Sequence, residues 1–395
     1  MSNQNDHKQG YKHTPLGWIP EEWEIREVVD VAPLQRGFDL TNGNLIKGKF
    51  PVVYSNGIVN YHNEYKAKAP GVVTGRSGTI GKVCYVEKDY WPHNTSLWVT
   101  DFKGNDPRFI YYFYNHLRLE RFGSGSGVPT LNRNDVHEHV VSMPTAKEQR
   151  KIAAILSTWD EAITKTQQLI AQLQQRNKGL MQQLLTGKKR LKGFEGEWKT
   201  APLSDCLNYS PREVPKPSKS FFALGIRSHA KGIFHKKDFE PEDLAMDILY
   251  EVKENDLIVN ITFAWEQAIA IAGKEDDGGL VSHRFPTYTF KEDRAHVDFF
   301  KYLIIQKKFK YLLNLISPGG AGRNRVMSKK DFLKLEVTIP DVEEQKAIGS
   351  ILKAATYELK IYEQKLVALQ QQKKGLMQKL LTGEVRVKID DLIGK

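Results

Sequence analysis

The clearest pattern in this chain is an apolar position recurring in steps of four and three over two long stretches. Between 143 and 191 it runs through Ile152, Leu156, Trp159, Ile163, Ile170, Leu173, Leu180 and Leu184, interrupted by Thr166 and Asn177. Between 339 and 387 it runs through Ile348, Leu352, Ala355, Leu359, Tyr362, Leu366, Leu369, Leu376 and Leu380, with Lys373 as its polar break. A heptad sustained this long predicts a helical seam, not one face of a globular helix. Start signals are present: Thr145 with Glu148, and Asp341 with Glu344, have the cap-and-third-residue spacing that satisfies free amides. Gly187 and Gly383 stand where a left-handed residue stops a helix. Forty residues at 1.5 Å each would span roughly 60 Å.

The two stretches are copies. At an offset of 196 they align without a gap, with 20 identities in 49 positions. If the copies pack on each other they run antiparallel, since the second begins where the domain after the first has ended. The rival arrangement pairs each seam with another chain. The repeat continues weakly outward. Ile19-Pro20-Glu21-Glu22-Trp23 with Asp30 matches Glu195-Gly196-Glu197-Trp198 with Asp205, and the aromatic run Phe109–Phe122 matches Phe299–Leu315. Both runs enter glycine-rich loops, and Asn134-Asp135-Val136 and Lys330-Asp331-Phe332 follow. The middles of the two globular regions are unrelated. The pattern predicts an α+β protein in four parts: a domain over 1–143, a helix over 144–191, a domain over 192–338 and a second helix over 339–395.

Composition narrows this picture only slightly. The chain has 395 residues and a formal charge of +11. That charge is spread as +1 over 1–142, +6 over 143–191, +2 over 192–338 and +2 over 339–395. The excess therefore lies mainly in the first helix, and charge by itself does not establish nucleic-acid binding. Cys84 and Cys206 are too few and too far apart for a disulfide framework or a zinc site. The polar start predicts neither secretion nor membrane insertion.

Catalytic motifs fail on inspection. Gly75 to Val83 resembles a phosphate loop, but its glycine spacing is wrong and Val83 replaces the magnesium-binding hydroxyl. Asp160-Glu161 lies on the first long helix without a nucleotide loop, and Glu251-Val252-Lys253 lacks a preceding metal-binding acid. The eleven histidines form no cluster at metal spacing.

Related helices ending in GLMQQLLTG and GLMQKLLTG, starting in PTAKEQRKIA and PDVEEQKAIG, and a WPHNTSLWV stretch at 91–99 resemble the specificity subunits of type I restriction–modification systems. The resemblance runs from about Pro20 to Val387. It implies two target-recognition domains, each reading one half of a bipartite double-stranded DNA site, joined by helices in an antiparallel coiled coil. The helices would set the distance between halves and dock the modification subunits. Methylation with S-adenosylmethionine and restriction with ATP and Mg2+ would belong to modification and restriction partners, leaving this chain cytoplasmic, non-catalytic and without cofactor. An enzyme with an unfamiliar site, or a tether without sequence preference, remain the alternatives.

Recognition loops diverge within the family, so DNA-contacting residues are chosen by chemistry: forked or amide side chains for base edges, cations for phosphates. In the first domain they are Arg76, Ser77, Thr79 and Lys82; His93 and Asn94; and Ser126, Asn132 and Arg133. In the second they are Arg227, His229 and Lys231; Trp265 and Gln267; His283 and Arg284; and Arg323, Asn324 and Arg325 behind a glycine-rich turn.

Overall fold

The computed structural model describes residues 8–124, 127–319 and 325–389. Both predicted helices form, over Ala146–Leu184 and Val342–Leu381. The chain divides into two compact units. The first comprises 1–167 with 364–395, and the second 168–363, so each contains part of both long helices.

In the first unit, a four-stranded antiparallel sheet has the order Leu34–Arg36, Ser96–Val99, Gly71–Gly75, Val83–Val86. Its central strand Gly71–Gly75 is buried throughout, as a run of Val-Val-Thr with no polar alternation requires. The helix Pro107–Leu117 lays Phe109, Ile110, Phe113 and Leu117 into the same core as Ile152, Leu156, Leu380 and Leu381 of the long helices. Asp106 caps that helix through the Phe109 amide at 2.8 Å.

The second unit repeats this frame. Its sheet order is Leu207–Tyr209, Thr287–Phe290, Leu257–Val259, Ile269–Ile271, again antiparallel. The predicted aromatic helix is two helices here, Val297–Leu303 and Lys307–Leu315. The short helices Arg133–His137 and Lys329–Leu333 stand at matching places, and each opens on a polar cap, Asn132 or Ser328. Beyond the frame the units differ. The first adds three strands, Gly57–His62, Lys47–Tyr54 and Trp91–Pro92; the second adds a five-stranded sheet that includes the Phe221–Ile226 and Ile233–Phe239 hairpin.

The helix starts are anchored by matching parts. Thr145 and Asp341 accept the Glu148 and Glu344 amides at 3.4 and 2.9 Å. The reciprocal half of the expected pairing is absent, because both glutamate side chains are drawn into longer-range contacts. Glu148 accepts the Trp23 indole N–H at 2.9 Å and Arg386 Nε at 2.6 Å. Glu344 accepts the Trp198 indole N–H at 3.2 Å and Arg190 Nε and Nη2, each at 2.7 Å. The next residues, Gln149 and Gln345, each donate to a proline carbonyl at 3.0 Å and accept a domain amide at 2.9 Å. Gly187 and Gly383 end their helices at φ +68° and +73°, as their positions predicted. At Gly383 a side chain would also strike Pro20, whose Cδ lies 2.6 Å from an ideal Cβ.

Candidate nucleic-acid interface

In the first unit the predicted polar loops are stitched to one another by their backbones. The Arg76 and Ser77 amides donate to Thr95 O at 2.9 and 3.2 Å, Leu131 N to Arg76 O at 2.8 Å, and Gly78 N to Pro129 O at 3.1 Å. The hairpin between 75 and 82 closes only because Gly75 has no side chain; an ideal Cβ there would lie 1.7 Å from Thr79 O. These loops and the end of the edge strand Leu34–Arg36 enclose an open cleft of about 680 Å³. Arg76, Asn132 and Arg133 line it, together with three residues that sequence reasoning missed: Gln35, Arg36 and Asp39. Arg36 pairs with Asp39 at 3.0 Å, and Asp39 also accepts the Asn94 side-chain amide.

Other predicted residues have structural occupations. Asn132 caps its helix, accepting the Asn134 amide at 3.1 Å and donating to Asp135 at 3.1 Å. His93 is held between Thr95 Oγ1 at 2.9 Å and Leu40 O at 3.3 Å, its ring 4.2 Å from that of Tyr54. Burial lowers its pKa, against the opposing pull of the Leu40 carbonyl and Asp39. Lys82 donates to the Asn56 carbonyl, while Thr79 is exposed. Ser126 lies outside the described residues.

In the second unit, Arg227, His229 and Lys231 are exposed on the turn of the long hairpin. That turn is pinned, with His229 N donating to Glu266 O at 2.7 Å and Ala230 N to Gln267 O at 2.9 Å. Arg227 donates to Ile233 O at 3.0 Å and lies over the Phe234 ring. Gln267 is corrected from a surface group to an interior one. It is 5% exposed, and its amide nitrogen donates to Ile304 O at 2.8 Å and Gln306 O at 3.2 Å. A left-handed backbone at φ +62° turns it inward. Arg325 lies over the Trp265 ring and donates to Ser317 O at 3.0 Å. His283 and Arg284 are exposed, and Arg284 Nη1 reaches Thr262 Oγ1 at 3.3 Å. Arg323 and Asn324 lie outside the described residues. Sequence reasoning also missed Tyr209 and Lys329, which stand where Arg36 and Arg133 stand in the first unit; Lys329 Nζ donates to the Tyr209 hydroxyl at 2.9 Å. The repeat offset carries Arg133 onto Lys329 and could have exposed this second site.

Comparison with known proteins places this geometry. The family model of the type I restriction modification DNA specificity domain matches residues 20–175 and 239–371. The chain belongs to that family. The MjaX specificity subunit of Methanocaldococcus jannaschii is 24% identical over 96% of this chain and 98% of its own. The type I restriction enzyme MjaVIII specificity subunit of the same organism is 24% identical over 71% of each chain. Among solved structures, the type I restriction–modification S subunit from M. genitalium superposes with a TM-score of 0.61 at 15% identity, covering 91% of this chain and 96% of that one. A chain from work on complex assembly and conformational transition of the type I R-M system gives 0.51 at 15% identity, over 93% and 99%. Among the described residues no helix is long and apolar enough to cross a membrane.

Proposed function

We propose that this chain is the non-catalytic specificity subunit of a type I restriction–modification complex, each unit reading one half of a bipartite duplex DNA target. The observation that carries the reading is one frame used twice. The same sheet order and the same helix anchors support different added sheets and differently built polar surfaces. In this reading the two long helices form an antiparallel coiled coil that sets the gap between half-sites and docks the modification subunits. S-adenosylmethionine, ATP and Mg2+ serve the modification and restriction partners, and the assembly works in the cytoplasm.

Replacing residues 20–142 with a relative's equivalent, within the assembled complex, should change one half of the selected target and leave the other. A simultaneous change in both halves would refute independent reading. Inserting one heptad after Leu173 and another after Leu369 adds about 10 Å to both helices. At 3.4 Å per base pair the preferred gap should lengthen by roughly three base pairs. Retention of the parental gap would show that the helices do not set it.

A further inference from the structure

Three guanidinium groups, those of Arg36, Arg76 and Arg133, border the first unit's cleft, and one carboxylate, Asp39, stands among them. We propose that Arg36, held by Asp39, is a base-reading residue, and that this cleft seats the base edges of one half-site. The assignment rests on the DNA-reading function above and names a residue pair within it.

The two chemistries that bring arginine to DNA ask different things of their surroundings. A phosphate contact needs positive charge and tolerates a mobile side chain, whereas bidentate contact with a base edge needs a fork fixed in direction. Arg36 meets the second requirement. Its Nη2 lies 3.0 Å from Asp39 Oδ1, and the same oxygen accepts the Asn94 amide, so the carboxylate is itself fixed by a second donor. Its support is also rigid. Gly37 N donates to Ser96 O at 3.0 Å and Phe38 N to Pro92 O at 2.8 Å, and the Phe38 ring lies 6.3 Å from both Trp91 and Trp98. Only glycine permits this approach, since an ideal Cβ at 37 would lie 2.2 Å from His93 O.

Asp39 argues further against a phosphate site. Its carboxylate is 66% exposed, and it would repel a backbone phosphate while accepting readily from a cytosine amino group. Arg76 and Arg133 are left to meet the flanking phosphates. At the corresponding places in the second unit, Tyr209 and Lys329 stand for Arg36 and Arg133, so the two units present different chemistry to their half-sites.

The test uses the chain assembled with its modification subunits. Wild type, Arg36→Ala, Arg36→Lys and Asp39→Asn would each be selected against duplexes randomised in both halves, at one salt concentration and again over a salt series. Wild type should select a two-part site. Arg36→Ala should lose discrimination at one or two adjacent base pairs of one half, by roughly 5- to 150-fold, as for the loss of one bidentate pair. The salt slope should change little. Arg36→Lys, which keeps the charge but not the fork, should lose the same discrimination, and Asp39→Asn should blur the same positions to a smaller extent. Equal weakening of all sequences by Arg36→Ala, with rescue by lysine and a salt slope reduced by about one, would make Arg36 a phosphate contact and overturn the assignment. Unchanged selection by every variant would overturn it as well. A wild-type complex that selects nothing would instead refute the proposed function, and this assignment with it. The Arg36–Asp39 pair is half-exposed and adds little to stability, so thermal melts of the variants should overlay wild type.

Discussion

In the first unit Glu148 lies buried beneath Trp23 and Arg386; in the second, Glu344 lies buried beneath Trp198 and Arg190. The parts match, yet the arginines use them differently. Arg190 clamps Glu344 with Nε and Nη2, whereas Arg386 divides itself between Glu148 and Glu22. Farther along the helices the divergence widens. Lys373 in the first unit donates to Asp160 at 2.6 Å, and Tyr112 donates to the same carboxylate at 2.6 Å. The repeat equivalents in the second unit are Asn177, Thr356 and Tyr302. There Asn177 donates to Ala355 O at 2.8 Å, and Tyr302 to Thr356 Oγ1 at 3.2 Å. The lysine–aspartate pair of one unit has thus become a neutral pair in the other, where Asn177 Oδ1 also accepts from Arg176 at 2.9 and 3.1 Å. A buried polar group on a helical seam is satisfied in one register only. Each unit therefore locks its own pair of helix segments, and the lysine and asparagine are not interchangeable without their partners.

The largest break in this comparison should come from Glu344→Ala. Removing the carboxylate leaves Arg190 and the Trp198 indole without their partner, at a cost of about 3–5 kcal/mol. Hydrogen exchange should show protection falling in the second unit alone. Glu148→Ala should act on the first unit and fall at the lower end of that range, because Arg386 keeps Glu22. A loss spread evenly over both units would mean that the junctions are not separate.

Next in size is Asn177→Lys, which places an ammonium where the second unit has Thr356 in place of Asp160. It should cost about 2–4 kcal/mol as an unpaired charge on the seam. The double variant with Thr356→Asp rebuilds the first unit's pair and should recover most of that loss in a double-mutant cycle. A coupling near zero would show that the two layers are unrelated.

Trp23→Phe and Trp198→Phe each remove one donor from a buried carboxylate, worth about 1.5 kcal/mol. Trp23 should lose more than Trp198 in urea denaturation, since its hydrogen bond is shorter. Smallest is a drift with pH. Burial lowers the pKa of His93, His116, His137 and His139 in the first unit. Their neutral forms are favoured in the folded state, so this stability is present above the unfolded value of 6.5 and is lost as pH falls through it. Exchange protection in the first unit should therefore decline between pH 7 and 5, and replacing the four histidines should flatten the decline.

Much of the fold is legible in the chain as written. The seams, their caps and the terminal glycines are local patterns; the helices run Ala146–Leu184 and Val342–Leu381, stopping short of the limits 191 and 395 drawn for them, with Gly187 and Gly383 left-handed just beyond. The polar breaks at Asn177 and Lys373 could be seen as interruptions, but nothing in their spacing told which groups would answer them. The candidate interface was less readable. Asn132 has the composition of a base reader and the geometry of a helix cap. Gln267 was read as a surface amide, yet one left-handed residue turns it into the core. Arg36 and Asp39 passed unnoticed because a short polar turn after a strand reads the same whichever way it faces.

The sequence alone determined the duplicated frame and the long helices, because heptad spacing, capping and the repeat are set by residues a few positions apart or at one constant offset. The tertiary structure decided which arginine meets which buried glutamate, with 238 residues separating Arg386 from Glu148 and 154 separating Arg190 from Glu344. It also decided which loops converge on a cleft. Such pairings depend on how strands twist and where backbones pass within hydrogen-bond reach, and a cation or carboxylate has no local periodicity that records its distant partner.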